Sequence, residues 1–509
     1  MQEYWEDLIA KKNGFRGVAP NVNIASANRL SQVIDHNQIS YSDMDLKLYS
    51  HVENNKIQII NESYGTAAYS YTFSHNNSDF IGMSEINFIT VKASGNQTCS
   101  TDLANKFYNK NKSSIDAKFL NFNFHNNESL KELPHNVKNY YKSIRPHIST
   151  MEKTASNPYR ILVAGISHKG VINNTSTFGS NIWISGFSGG SSSTTLSKDS
   201  LNIDPKYVGI LTTTIPINRP YGGTYFNKRL LPENREGYYN TELSGTSFAT
   251  PMISGVIALL LEANPNLSYW DVKYILAKTA NRNKLVSDPL PSCIKILSII
   301  GDFSSDFLDL WKTGWVENKA GNFFHNYYGF GLVDTDRAIE MALNIKNGVT
   351  PSPYQGKKVQ RIQNSLEIQN NSNQIIPPNS SITSELVITE NINIDGVRVT
   401  PYILAAKADS ISIQLVSPDE TTSQQRGTHS TILYPGNSMI QLSEDESVIE
   451  DMPYPVDDYK KDLNDNSGAY LTNAFFEERS KGKWKIIITN HSLDKTFYLE
   501  GWKLEIYGH

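Results

Sequence analysis

Residues 244–251 read Ser-Gly-Thr-Ser-Phe-Ala-Thr-Pro, and an apolar run of helical spacing follows at once. This places Ser247 on a tight turn that opens a helix. The first N–H groups of a helix are unpaired and carry partial positive charge, so a hydroxyl there sits where an oxyanion is stabilised. Gly245 and Ala249 are small and leave room for a carbonyl to approach. A polar helix cap alone would account for the serine but not for the whole octet.

A serine nucleophile also needs preorganised donors for the oxyanion it creates. The stretch Phe88-Ile-Thr-Val-Lys-Ala-Ser-Gly-Asn ends an apolar strand in Gly95-Asn96, where a carboxamide can reach into a neighbouring cleft. Gly-Asn is also a common turn dipeptide. Other chemistry-bearing motifs fit less well. Gly186-Phe-Ser188-Gly-Gly has the Gly-x-Ser-x-Gly form, but Ser191-Ser-Ser-Thr-Thr follows it instead of the apolar helix that such an elbow needs. Asp35-His36 and Asp334-Thr-Asp336 imitate fragments of a catalytic constellation, and His168 reads as a surface loop residue.

The elements that must position these groups fall into two parts. Short Ile/Val-rich runs at Lys56–Asn61, Asn87–Ala93 and Arg160–Ile166 read as buried parallel strands, and Leu46–Val52 carries a helical pattern. Ile253, Val256, Ile257, Leu260 and Leu261 keep the spacing of one helix face, with Pro251 expected in the first turn. Asn264-Pro265-Asn266 ends that helix, Ser268 and Asp271 make a capping box for the next, and Arg337–Leu343 lies on a last helix. Residues 1–345 are therefore expected to form an α/β domain. Residues 346–380 read as a linker with early edge strands, and alternating segments from Ser384 onward predict an all-β sandwich, so 351–509 is expected to form a second domain.

The 509 residues are 39% apolar and 19% charged with net charge −4, which gives no electrostatic reason to expect nucleic acid or an anionic membrane. No apolar stretch is expected to span a bilayer, and Met-Gln-Glu-Tyr-Trp-Glu-Asp does not read as a signal peptide. Cys99 and Cys293 form neither a disulfide framework nor a zinc motif, and whether they pair is open at this level.

Gly-Thr-Ser-x-Ala-Thr-Pro resembles the nucleophile signature of subtilisin-like serine peptidases. Gly17-Val-Ala-Pro, Ile59-Ile-Asn-Glu-Ser-Tyr-Gly and Gly95-Asn96 resemble further motifs of that family in the same order. The resemblance implies that Ser247 is the nucleophile, that Asn96 donates to the oxyanion, and that Ser63, Tyr64, Gly65 and Gly95 line the cleft for the residues before the cleaved bond. The kexin and proprotein-convertase branch is the most similar, through Leu259-Leu-Leu-Glu-Ala-Asn-Pro-Asn-Leu-Ser-Tyr-Trp-Asp-Val and His325-Asn-Tyr-Tyr-Gly-Phe-Gly-Leu-Val-Asp. It implies a subtilisin-like α/β domain followed by a β-rich P domain, whose landmarks resemble Ser-Pro-Asp at 417–419, Lys481-Gly-Lys-Trp and Leu499-Glu-Gly-Trp-Lys-Leu-Glu-Ile-Tyr-Gly.

The resemblance further implies protein or peptide substrates, structural calcium and a secreted or periplasmic home. No Asp-x-Asp-x-Asp-Gly loop marks a calcium ligand set, and the metal residues stay unknown. Thr66-Ala-Ala-Tyr-Ser follows Gly65 where dibasic-specific convertases carry acidic residues, so no dibasic preference is expected. The family's catalytic Asp and His precede the Gly-Val-Ala-Pro turn, and only 16 residues stand before it here. Two triad members are therefore expected to be missing, through a start that lies upstream, a truncated or split gene, or a pseudo-enzyme. The rival expectation is a peptide-binding pseudoprotease that grips without cutting.

Overall fold

A computed structural model of the chain describes residues 17–24, 57–65, 88–99, 104, 108–109, 133–152, 154–189, 209–213, 239–286, 290, 292–300, 307–312, 314–367, 374–419, 426–437, 440–442, 449–451 and 469–509. The expected helix at Leu46–Val52 and the Asp35-His36 pair lie outside these residues.

Four strands, β1 (Ile59–Glu62), β2 (Ile89–Ala93), β3 (Arg160–Ile166) and β4 (Ile184–Phe187), form one parallel sheet in the order β1-β2-β3-β4. Alternation divides their side chains between two layers. Ile89 and Val91 of β2, with Ile161 and Val163 of β3, pack under the long helix, whereas Leu162, Ala164 and Ile166 turn to the opposite core. Among the described residues, the helices of eight or more residues in this part are α1 (His135–Lys142), α2 (Thr246–Ala263), α3 (Tyr269–Thr279), α4 (Ser292–Ile300) and α5 (Thr335–Lys346).

Helix α2 lies across all four strands, burying Ile253, Val256, Ile257 and Leu260. It is long and apolar enough by composition to cross a membrane, which corrects the expectation that no stretch qualifies. Its buried face against the sheet is that of a core helix. It begins at Thr246, so Pro251 falls in its second turn and not in the first as expected. Ser268 and Asp271 make the reciprocal capping box of α3, and Asp334 caps α5 through the Arg337 N–H at 3.2 Å. Asp334 is thus a helix cap. His168 is exposed in the loop after β3.

The C-terminal part is antiparallel throughout. One sheet joins Gln374–Ile376, Phe497–Gly508, Ile394–Leu404 and Tyr470–Thr472, with Gln360–Glu367 also paired to Phe497–Gly508. The facing sheet joins Ser380–Ile388, Gly482–Asn490, Ile411–Val416 and His429–Leu433. Buried Trp484 and Trp502 fill the space between them, and Trp502 Nε1 donates to Ser384 Oγ across the sandwich at 3.1 Å.

The two parts share buried side chains. Trp311 stacks on Tyr434 with ring centroids 4.6 Å apart, and Phe476 lies 5.2 Å from Trp183 and 5.4 Å from Phe330. Asn473 anchors this contact by donating through Nδ2 to the Asn181 carbonyl at 2.8 Å, while its N–H donates to the Ser180 carbonyl at 2.9 Å. Asn318 Nδ2 in turn donates to the carbonyls of Ala474 at 3.0 Å and Phe476 at 2.8 Å.

Candidate active site

In parallel sheets the loops at the carboxyl ends of strands converge on a common crevice. Here the loop after β1 carries Ser63, Tyr64 and Gly65, the loop after β2 carries Gly95 and Asn96, and both meet the first turn of α2. Asn96 Oδ1 accepts the Thr246 N–H at 2.8 Å and lies 3.0 Å from the Thr246 hydroxyl. That hydroxyl also reaches the Gly95 carbonyl at 3.1 Å. The carboxamide therefore caps the helix from outside the chain segment, one residue before Ser247, with its Nδ2 on an exposed side chain.

Gly245 makes this approach possible. Its φ of +138° favours glycine, and a Cβ there would stand 3.1 Å from Asn96 Nδ2. Its N–H donates to the Ser188 carbonyl at 2.9 Å. Ser188 itself is buried in a loop, with its hydroxyl held by Asn173 Nδ2 at 3.0 Å, and is not presented as a nucleophile.

Ser247 is half-buried and pairs with Ser63. Its hydroxyl donates to the Ser63 carbonyl at 3.1 Å, and the Ser63 hydroxyl donates to the Ser247 carbonyl at 3.0 Å. The second bond has a local cause. An α-helix would fill the Ser247 carbonyl with the N–H four residues on, but that residue is Pro251, which has none. Asn61 Nδ2 donates to the Ser63 hydroxyl at 2.9 Å, and Ser254 Oγ donates to Asn61 Oδ1 at 3.0 Å, so a polar chain runs down the helix face. Among the described residues no imidazole is bonded to the Ser247 hydroxyl.

Beneath the Ser63–Gly65 segment lies a cluster that no motif announced. Lys92 Nζ donates to the Tyr64 carbonyl at 2.7 Å and pairs with Glu152 at 3.2 Å, and both side chains are buried. Arg160 pairs with Glu62 at 3.0 Å. Thr154 Oγ1 donates to Glu152 at 2.6 Å. Lys92 and Glu152 are 60 residues apart, and a buried lysine inside strand β2 is the signal that could have drawn attention to it. Cys99, three residues past Asn96, is disulfide-bonded to Cys293 of α4.

Calcium ligands find no support: among the described residues no group of three or more His, Cys, Asp or Glu side chains could hold a metal ion.

Both parts of the chain resemble known proteins. The model of the subtilase family matches residues 8–331, and that of the proprotein convertase P-domain matches residues 394–506. An extracellular serine protease of Aeromonas sobria is 28% identical over 344 residues, covering 67% of this chain and 50% of the relative. Protease KEX1 of Kluyveromyces lactis is 29% identical over 180 residues, covering 35% of this chain and 20% of that protein. The crystal structure of the serine protease of Aeromonas sobria shares the fold with a TM-score of 0.62 at 20% identity, covering 94% of this chain and 76% of that one. The chain spans about half the length of the first curated relatives it matches.

Proposed function

This chain belongs to the subtilase family, with a proprotein convertase P-domain after the subtilase part, and from that premise we propose that it carries the nucleophile and oxyanion half of a kexin-type serine endopeptidase site. The observation that supports the reading most is the Asn96 carboxamide bonded to Thr246 N–H at 2.8 Å, immediately before Ser247. Ser247 Oγ attacks the scissile carbonyl carbon while its proton passes to a general base. Asn96 Nδ2 and the Ser247 N–H then stabilise the oxyanion in a site that needs no reorganisation. Collapse of the intermediate breaks the C–N bond, the base returns the proton to the leaving amine, and water hydrolyses the acyl-enzyme. Ser63, Tyr64, Gly65 and Gly95 hold the substrate backbone on the side before the cleaved bond.

The family's Asp and His motifs match no residues of this chain in the required order. Activity of residues 1–509 alone is therefore expected to be residual, since without the base only oxyanion and binding effects remain. Substrates are proteins or peptides, and the Cys99–Cys293 bond fits a secreted or periplasmic home.

A second reading, a peptide-binding pseudoprotease, is favoured by one observation: the Ser247 hydroxyl is spent on the Ser63 carbonyl. Incubation with a fluorophosphonate probe and a fluorogenic peptide separates the two. Labelling at Ser247 with turnover supports the enzyme and sinks the binder. Peptide binding by folded protein without labelling does the reverse.

A further inference from the structure

The segment Glu62–Gly65 is held from below by two ion pairs. Glu62 is matched by Arg160 at 3.0 Å and Glu152 by Lys92 at 3.2 Å, all four side chains being buried. Lys92 also ties the segment itself, donating to the Tyr64 carbonyl at 2.7 Å with its ammonium 5.1 Å from the Tyr64 ring. The Glu152 carboxylate fills the space behind Gly65, where an added Cβ would meet Oε2 at 3.2 Å.

We propose that Lys92 and Glu152 determine which side chain is accepted before the cleaved bond, favouring a small uncharged residue and rejecting a basic one. This rests on the reading of Ser63–Gly65 as the substrate-binding segment. A buried charge is tolerated only when paired. A basic side chain entering beside Gly65 would meet a carboxylate already neutralised by Lys92, and would bring an unpaired cation next to an existing one. A small uncharged side chain asks for no counter-charge. The specificity thus resides in the cation on β2 that cancels the carboxylate under the wall of the cleft.

The test titrates the full chain with fluorescein-labelled tetrapeptides ending in Ala, Arg or Glu, read by fluorescence polarisation. The wild-type chain should bind the Ala peptide roughly tenfold or more tighter than the Arg peptide, the scale of one pocket contact. Lys92→Met leaves Glu152 without its cation and should move preference toward Arg by a similar factor. Glu152→Gln leaves Lys92 without its anion and should move it toward Glu, so either variant carries the test if the other fails to fold. Lys92→Arg should keep the wild-type ranking. A wild-type chain that prefers Arg, or equal weakening of all three peptides in both variants, would overturn the assignment and make the pair structural only. Binding of none of the peptides by folded wild-type chain would overturn the cleft reading as well, which distinguishes the two failures.

Discussion

Ser63 and Ser247 hold each other through two hydrogen bonds that run in opposite directions, hydroxyl to carbonyl at 3.1 Å one way and at 3.0 Å the other. The pair ties the loop after β1 to the first turn of α2, and it depends on a helix carbonyl left open by Pro251.

Pro251→Ala restores the missing N–H and so offers the Ser247 carbonyl an intrahelical partner. The helix should gain about 1 kcal/mol from that bond, seen as a higher urea midpoint. The Ser63 hydroxyl then shares its acceptor with that N–H, and peptide affinity should fall if the cross-link positions the cleft. Unchanged affinity together with a raised midpoint would show that the cross-link is dispensable.

Asn96 has two separable tasks, and two substitutions divide them. Asn96→Ala removes both the cap on Thr246 and the exposed donor, and should cost about 1 kcal/mol of stability as other N-cap losses do. Asn96→Asp keeps an acceptor at the Thr246 N–H and adds negative charge at a helix N-terminus, so stability should be held or raised. Both should lower the fluorophosphonate labelling rate, by roughly 10²–10³-fold if the carboxamide donates to the oxyanion. Normal labelling of Asn96→Asp would remove Asn96 from the oxyanion site.

Reduction of Cys99–Cys293 opens a link across 194 residues of sequence. The chain-entropy contribution of such a loop is as much as about 5 kcal/mol. Dithiothreitol should lower the urea midpoint, and hydrogen exchange should quicken first in residues 94–99 and 292–300. Exchange that quickens elsewhere but leaves 94–99 protected would show that the bond does not steady the Asn96 loop.

Acid should destabilise the sandwich through His491, whose Nε2 lies 2.8 Å from Ser412 Oγ. Burial pushes its imidazole from 6.5 down to about 4. Between those values the unfolded chain binds more protons than the folded one, so stability is full above pH 6.5 and is lost as pH falls toward 4. The loss is up to about 1.4 kcal/mol per pH unit for that group. His491→Gln should make the fall in urea midpoint across the window shallower, and an unchanged slope would assign the acid sensitivity elsewhere. His147, also pushed to about 4 by burial, adds to the same loss.

Much of this arrangement is legible in the chain because its signals are local. Strand Arg160–Ile166 is bounded to the residue by its own apolar run, and the Ser268–Asp271 box needs only three residues of context. The place of Pro251 is misread by one turn because a proline suggests a helix start, whereas Gly245 and the Asn96 cap start α2 earlier. The membrane-length apolarity of α2 escapes notice because Thr, Ser and Gly interrupt it. The disulfide and the Lys92–Glu152 pair join residues far apart in sequence, and only the folded chain brings them together.

Phe476 reaches out of the sandwich into the aromatic cavity of Trp183 and Phe330, so the two halves are not modules on a string. A sandwich borrowed from a cousin would arrive with a plug cut for another socket. Replacements at 183, 330 and 476 should therefore travel through a lineage as a set, and a graft that ignores them would leave a hole beneath the strand that ends at Phe187.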